Sequence, residues 1–175
     1  MNSKQKEEVR KDGNAYSFEY LLDILKIEIE FIERGISRLD EIRKAHMNWA
    51  IVTWAGSIAL LLKTKDLDHL IILTSLVPLL FWLVTARWSY HQAGFIYRQK
   101  KISDFLGSEE FRVACDEQSL KKFILLDPIG NQYKSEEDYK VEVNFWKAFR
   151  YHHIVYLHLG MIIISLILGI INKYR

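Results

Sequence analysis

The chain has 175 residues, one domain's worth of protein on the usual prior. Half of it is hydrophobic, with five Trp and nine each of Tyr and Phe, which excludes disorder; yet 26% is charged, so apolar and polar blocks must be segregated, as in a membrane protein with a sizeable soluble part. A net charge of +2 gives no basis for bulk nucleic-acid binding, DNA included, and the single Cys115 cannot form an internal disulfide, so no oxidising compartment is required.

Met1 to Asn14 is polar and charged and lacks the apolar core of a secretory signal, so insertion is expected to begin at an internal span. From Ser17 onward Phe18, Leu22, Leu25, Ile29, Ile32, Ile36 and Leu39 recur at alternating steps of four and three, which keeps one seam of a helix apolar. Leu21, Ile24 and Ile27 widen that seam, so the helix is expected to pack against several neighbours, in its own chain or in other subunits. Glu19, Asp23, Glu28, Glu30 and Glu33 crowd its first half, and Arg38, Arg43 and Lys44 its end, as the helix dipole favours.

Met47 to Leu62 carries no charge, and after a short KTKDLDH linker Leu70 to Ala86 carries none either. Each is near the roughly 17-residue lower limit for crossing the hydrocarbon core, and Trp49, Trp88, Lys63 and Lys65 are placed to extend both to the interfaces. The linker permits only an antiparallel hairpin, and the alternative is a buried hairpin of a soluble protein. Pro78, in the middle of the second run, is expected to kink that helix.

Arg87 to Phe105 reads as a continuation of the second helix into water, stopped by Gly107; Ser108 with Glu109 and Glu110 opens a short helix; Asp127 to Asn131 is a turn. Ser135 with Asp138 resembles a capping box, and the helix it opens is expected to run unbroken from Glu136 into a third apolar block, Ile154 to Ile171, bounded by Lys147 and Arg150 before it and Lys173 and Arg175 after it. The fold class is all-α: residues 1–45 a cytoplasmic amphipathic helix, 46–88 a transmembrane hairpin, 89–152 a cytoplasmic helical region and 153–175 a C-terminal span. Orientation follows from Lys and Arg near the span ends. Arg38, Arg43, Lys44, Arg87, Arg98, Lys100, Lys101, Lys140, Lys147 and Arg150 lie on one side, against Lys63, Lys65, Lys173 and Arg175 on the other, which places the N-terminus and residues 87–150 in the cytoplasm.

The sequence has no Gly-rich phosphate loop, no Cys or His metal spacing and no nucleophile elbow, so neither cofactor nor metal is expected. Both borders of the central region pair Arg with His, Arg87 with His91 and Arg150 with His152 and His153. An Arg and a His separated by four to six residues is the mark of HEPN-type ribonucleases, but no Arg–His pair here has that spacing. Catalytic residues are therefore expected only if these close pairs, Arg87 with His91 and Arg150 with His153, act in a divergent ribonuclease; otherwise they anchor lipid headgroups. His158 lies a turn inside the third block, where an ionisable group must face protein or water. In the first run Asn48, Thr53 and Ser57 accompany the small residues Ala55, Gly56 and Ala59. This set either packs the hairpin or lines a pore between subunits, and with His158 it supplies the pore or gate candidates.

Pro78, Phe81 and Trp82, followed by Arg87, Tyr90, Phe95, Arg98 and Phe105, resemble the second-span signature of RipA-type octameric bacterial membrane proteins, in which a hairpin ends in Pro-x-x-Phe-Trp and leads into an aromatic and basic cytoplasmic helix. The resemblance covers residues 15–106. Size and layout look most like the accessory membrane proteins of type VI-B CRISPR systems. Where many relatives carry an acidic residue shortly after Phe-Trp, this chain has Val84 and Thr85. The resemblance implies a homo-octameric inner-membrane pore that strengthens antiviral defence, with an RNA-guided, RNA-cleaving effector or its RNA products as partner, or a divergent HEPN nuclease.

Overall fold

A computed structural model describes residues 3–120, 123 and 125–174, with side chains described from Phe18 onward except at 65–69 and 173. The expected anchoring by Lys65, Lys173 and Arg175 lies outside the described side chains. In chain order the elements are α1 (Ser3–Lys63), a 3₁₀ run (Lys65–Ser75), α2 (Leu76–Leu106), α3 (Glu109–Asp116), a short 3₁₀ turn (Asn131–Ser135), α4 (Glu137–Glu142), α5 (Phe145–Phe149) and α6 (His152–Lys173). Among the described residues there is no strand, so the fold is all-α. Three helical stretches, Phe18–Lys63, Leu70–Leu106 and Glu137–Asn172, contain segments long and apolar enough to cross a membrane.

The chain divides into two compact units, the first comprising residues 1–36 and 94–140, the second 37–93 and 141–175. In the first unit the predicted seam of α1 forms the core. Phe18 packs with Phe105, Ala114 and Leu120, and Leu25 and Ile32 pack with Ile102, while Leu22, Ile29 and Ile36 line the edges. The widening residues divide in two. Leu21 joins the core, whereas Ile27, with Tyr20 and Phe31, stays more than half exposed. The helix therefore carries a second apolar stripe, Tyr20, Ile24, Ile27 and Phe31, at the same steps of four and three, in which Ile24 is half-buried, Phe31 meets the Phe95 ring at 6.4 Å, and Tyr20 and Ile27 face outward. Gly35 is required where α1 meets Phe95, because a Cβ there would lie 2.9 Å from the Phe95 ring.

Local chemistry ends each element where the sequence indicates. Helix α2 stops at Leu106 before Gly107, and Ser108 caps α3 by accepting from the Phe111 N–H. In the turn, Gly130 takes the left-handed conformation and the Asp127 carboxylate accepts from the Asn131 and Gln132 N–H groups.

The expected unbroken stalk from Glu136 is replaced by three helices. Asn144 diverts the backbone by accepting from the Trp146 N–H, which ends α4 and caps α5. Further on, the Phe149 carbonyl, which a continuing helix would offer to residue 153, instead accepts from the Trp82 indole at 3.0 Å, and the chain turns at Arg150 and Tyr151 before α6.

Pro78 stands two residues past the change from 3₁₀ to α winding, inside one helical stretch that runs from Leu70 to Leu106, and the Leu76 N–H before it bonds back to the Leu73 carbonyl. Residues 65–75 before it are wound as 3₁₀ helix, and only Thr64 is extended between them and α1. In the second unit α6 presents Ile154, His158, Met161 and Ser165 to its own chain, all at most 4% exposed. Tyr156, Ile163, Ile167 and Ile170 face outward. Outward apolar faces of this length suit lipid, since in water they would cost about 25 cal/mol per Å².

Candidate functional site

In the second unit three rings lie parallel. Trp82 stacks on Phe149 with centroids 4.4 Å apart and planes 3° apart, and His158 lies parallel to Trp82 at 6.3 Å. Trp82 and Phe149 are joined by the indole-to-carbonyl bond as well, so Trp82 holds the end of α5. His158 is fully buried, and neither ring nitrogen has a hydrogen-bond partner among the described residues.

Deeper in the unit Ser165 joins the three apolar segments. It accepts from the Trp54 indole at 2.8 Å and from Thr74 Oγ1 at 3.0 Å and donates to the Met161 carbonyl. Sequence reading missed this hub, whose signal was two hydroxyl residues and a Trp within apolar runs. The first-span candidates lie elsewhere. Asn48, Thr53, Ala55, Gly56 and Ala59 are exposed, Ser57 is half-buried and donates to the Thr53 carbonyl, and a Cβ on Gly56 would meet nothing within 4 Å. They do not pack the hairpin, whereas His158 lies inside the unit.

Near the ends of the spans Arg43 donates to Gln92 Oε1 at 3.1 Å and pairs with Asp40. His46 Nδ1 lies 2.9 Å from the Ile42 carbonyl, and its ring packs between Phe81 and Trp88, which in turn neighbours His91. Arg87 lies over the Tyr90 ring at 5.5 Å. Partial burial, and then the Arg87 charge one turn away, hold His91 below the ordinary imidazole pKa. Arg150 ends α5, and His153 stacks near Tyr151 at 6.0 Å. Among the described residues no hydrogen bond, ion pair or ring contact links Arg87 or His91 to Arg150 or His153. Nor does any group of three or more His, Cys, Asp or Glu side chains there suit a metal ion.

In the first unit the motif residue Arg98 makes a buried ion pair with Glu28. The two side chains are 0% and 1% exposed and Arg98 Nε lies 2.8 Å from Glu28 Oε1. Glu28 also accepts from the Leu126 and Asp127 N–H groups, and Arg98 donates to Tyr133 Oη at 2.7 Å with its guanidinium over the Phe123 ring. One turn on, Lys101 and Tyr97 both donate to Glu136 Oε2 at 3.0 Å. The Lys101 hydrogen bond, before any other cause, holds the Glu136 carboxyl below its ordinary pKa. A carboxyl with a depressed folded pKa adds stability above the unfolded value and loses it as pH falls through the folded one. Acidification below about pH 4.5 is therefore expected to loosen the 131–136 turn in wild type and to do so less in Glu136→Gln, where only the Asp127 carboxylate still holds the turn, read from amide exchange across it.

Comparison with protein-family models, with curated proteins and with solved structures finds no match to this chain.

Proposed function

We propose that this chain is a multi-pass inner-membrane protein that assembles with copies of itself into a ring-shaped pore, with the N-terminus and residues 87–150 in the cytoplasm. The observation that carries this reading is the first apolar segment. Its polar and small residues, Asn48, Thr53, Ala55, Gly56 and Ala59, are turned away from the chain's own packing. In lipid, small residues on a helix surface allow a second helix to approach closely, and outward polar side chains need a protein or water partner. The exposed side chains of Tyr20, Ile27 and Phe31 support the same reading, since apolar side chains on a charged, water-facing helix call for cover.

The resemblance at Pro78, Phe81, Trp82, Arg87, Tyr90 and Arg98 extends the proposal to an octamer that depolarises the membrane when an RNA-guided, RNA-cleaving effector is active, in antiviral defence. The role is non-enzymatic and uses no cofactor. Imaging of the purified full chain in lipid is expected to give discrete rings, and vesicles containing it are expected to release dye once the effector is active. Monomeric particles in both detergent and lipid would sink the assembly. Rings without flux under any trigger would leave a scaffold in place of a pore.

A membrane-tethered ribonuclease is the second reading. It is favoured by one observation, the placement of His91 one helical turn from Arg87 on α2. Full RNA cleavage by an Arg87→Ala, His91→Ala double variant, or none by the wild type, removes it.

A further inference from the structure

Residues 125–136 are tied to the first unit in an unusual way. The Leu126 and Asp127 N–H groups end on one buried side-chain carboxylate, Glu28, at 2.8 and 3.2 Å. That carboxylate is neutralised by Arg98, which holds the other end of the segment through Tyr133. Leu126 itself stands in the left-handed region, φ +63°, which is unfavourable for a side chain branched beyond Cβ, and it is 71% exposed, so beyond its N–H bond to Glu28 it brings strain and no packing to the closed arrangement. Gly94 completes the seat: a Cβ there would lie 3.2 Å from the Ile129 carbonyl, so the segment rests directly on α2.

We propose that residues 125–136 form a releasable strap, closed by the Glu28–Arg98 pair, that opens from the α1–α2 core of its unit without unfolding it. Burying two charges carries a large desolvation cost that attraction only partly offsets. When the strap lifts, Glu28 and Arg98 regain water and Leu126 leaves its strained conformation; Leu125 withdraws from the seam of Leu25, Ile32 and Ile102, Tyr133 leaves the Tyr97 ring, and Glu136 gives up Lys101 and Tyr97. Opening is thus less costly than separating the two helices, whose core stays packed. The strap gives the charged unit two states, and a ligand or partner that binds one state better than the other shifts the balance between them. The inference stands whether or not the assembled protein conducts.

Hydrogen exchange on the full chain in lipid nanodiscs tests it. In the wild type the Leu126 and Asp127 amides are expected to exchange at least about a hundredfold faster than the core amides of α1 and α2 around Ile32 and Ile102. Glu28→Gln, which leaves Arg98 without its counter-charge, is expected to speed strap exchange tenfold or more with the helix amides unchanged. Leu126→Gly relieves the left-handed strain at an exposed position and is expected to slow strap exchange about fivefold, part of the gain being offset by the freer open chain. Equal rates for strap and helix amides in the wild type would overturn the proposal, because the clasp would then belong to the global core. The same holds if Glu28→Gln accelerates both alike, or if Leu126→Gly leaves the strap rate unchanged.

Discussion

Replacing the half-buried Trp82 by Ala is expected to be among the most damaging single changes in the second unit, costing about 2–4 kcal/mol, below the range for truncating a fully buried Trp. Three separate losses add up there. The parallel stack with Phe149 disappears, the Phe149 carbonyl loses its donor at the break between α5 and α6, and His158 loses the ring that covers one of its faces. Trp49→Ala is the control, since Trp49 is 64% exposed and is not a buried anchor. Thermal unfolding of the full chain in detergent should show a large drop in midpoint for Trp82→Ala and a small one for Trp49→Ala. Equal drops would mean that the stack does not anchor α5 and α6.

The second large effect separates the two stripes of α1. Ile32 is completely buried against Leu25 and Ile102, so Ile32→Ala is expected to destabilise the first unit by about 2–5 kcal/mol. Phe31, the next residue along, is 52% exposed. Phe31→Ala is expected to cost the chain only about 0.5–1.5 kcal/mol, the worth of its ring contact with Phe95. Under the proposed assembly it should instead reduce the fraction of rings seen by imaging or mass photometry. A Phe31→Ala variant that unfolds as readily as Ile32→Ala would place both residues in one core and remove the outward stripe from the argument.

The parts of the fold that were legible in the sequence depend on chemistry within a few residues. The α1 seam, the stop at Gly107, the Ser108 cap and the Asp127–Asn131 turn each follow from neighbours in the chain, and all are found. What escaped depends on partners far away in the chain. Glu28 sits in a run of acids that reads as a solvated face, and its burial is decided by Arg98, 70 residues on. The break at Phe149 has the same origin, because the competing donor, Trp82, lies 67 residues back. Asn144 is different, a local signal that was overlooked: a short polar side chain inside a predicted helix competes for backbone N–H groups. Of the candidate site, periodicity marked which residues of the spans were polar or small but not which way they pointed. That direction is set by the packing of α1 against the 3₁₀ run, α2 and α6.

The winding before Pro78 bears on bilayer thickness. A 3₁₀ helix rises about 2.0 Å per residue against about 1.5 Å for an α-helix, so Leu70 to Ala86, wound first one way and then the other, extends about 28 Å, where an all-α segment would reach about 25 Å. The longer figure approaches the roughly 30 Å of hydrocarbon that a span must cover, which lets a 17-residue run do the work of a longer one. Rewinding those few turns shortens the segment without moving its ends in sequence. Under the proposed membrane placement, a thinner bilayer favours the wider coil and a thicker one the tighter coil, so hydrophobic mismatch is absorbed by winding as well as by tilt.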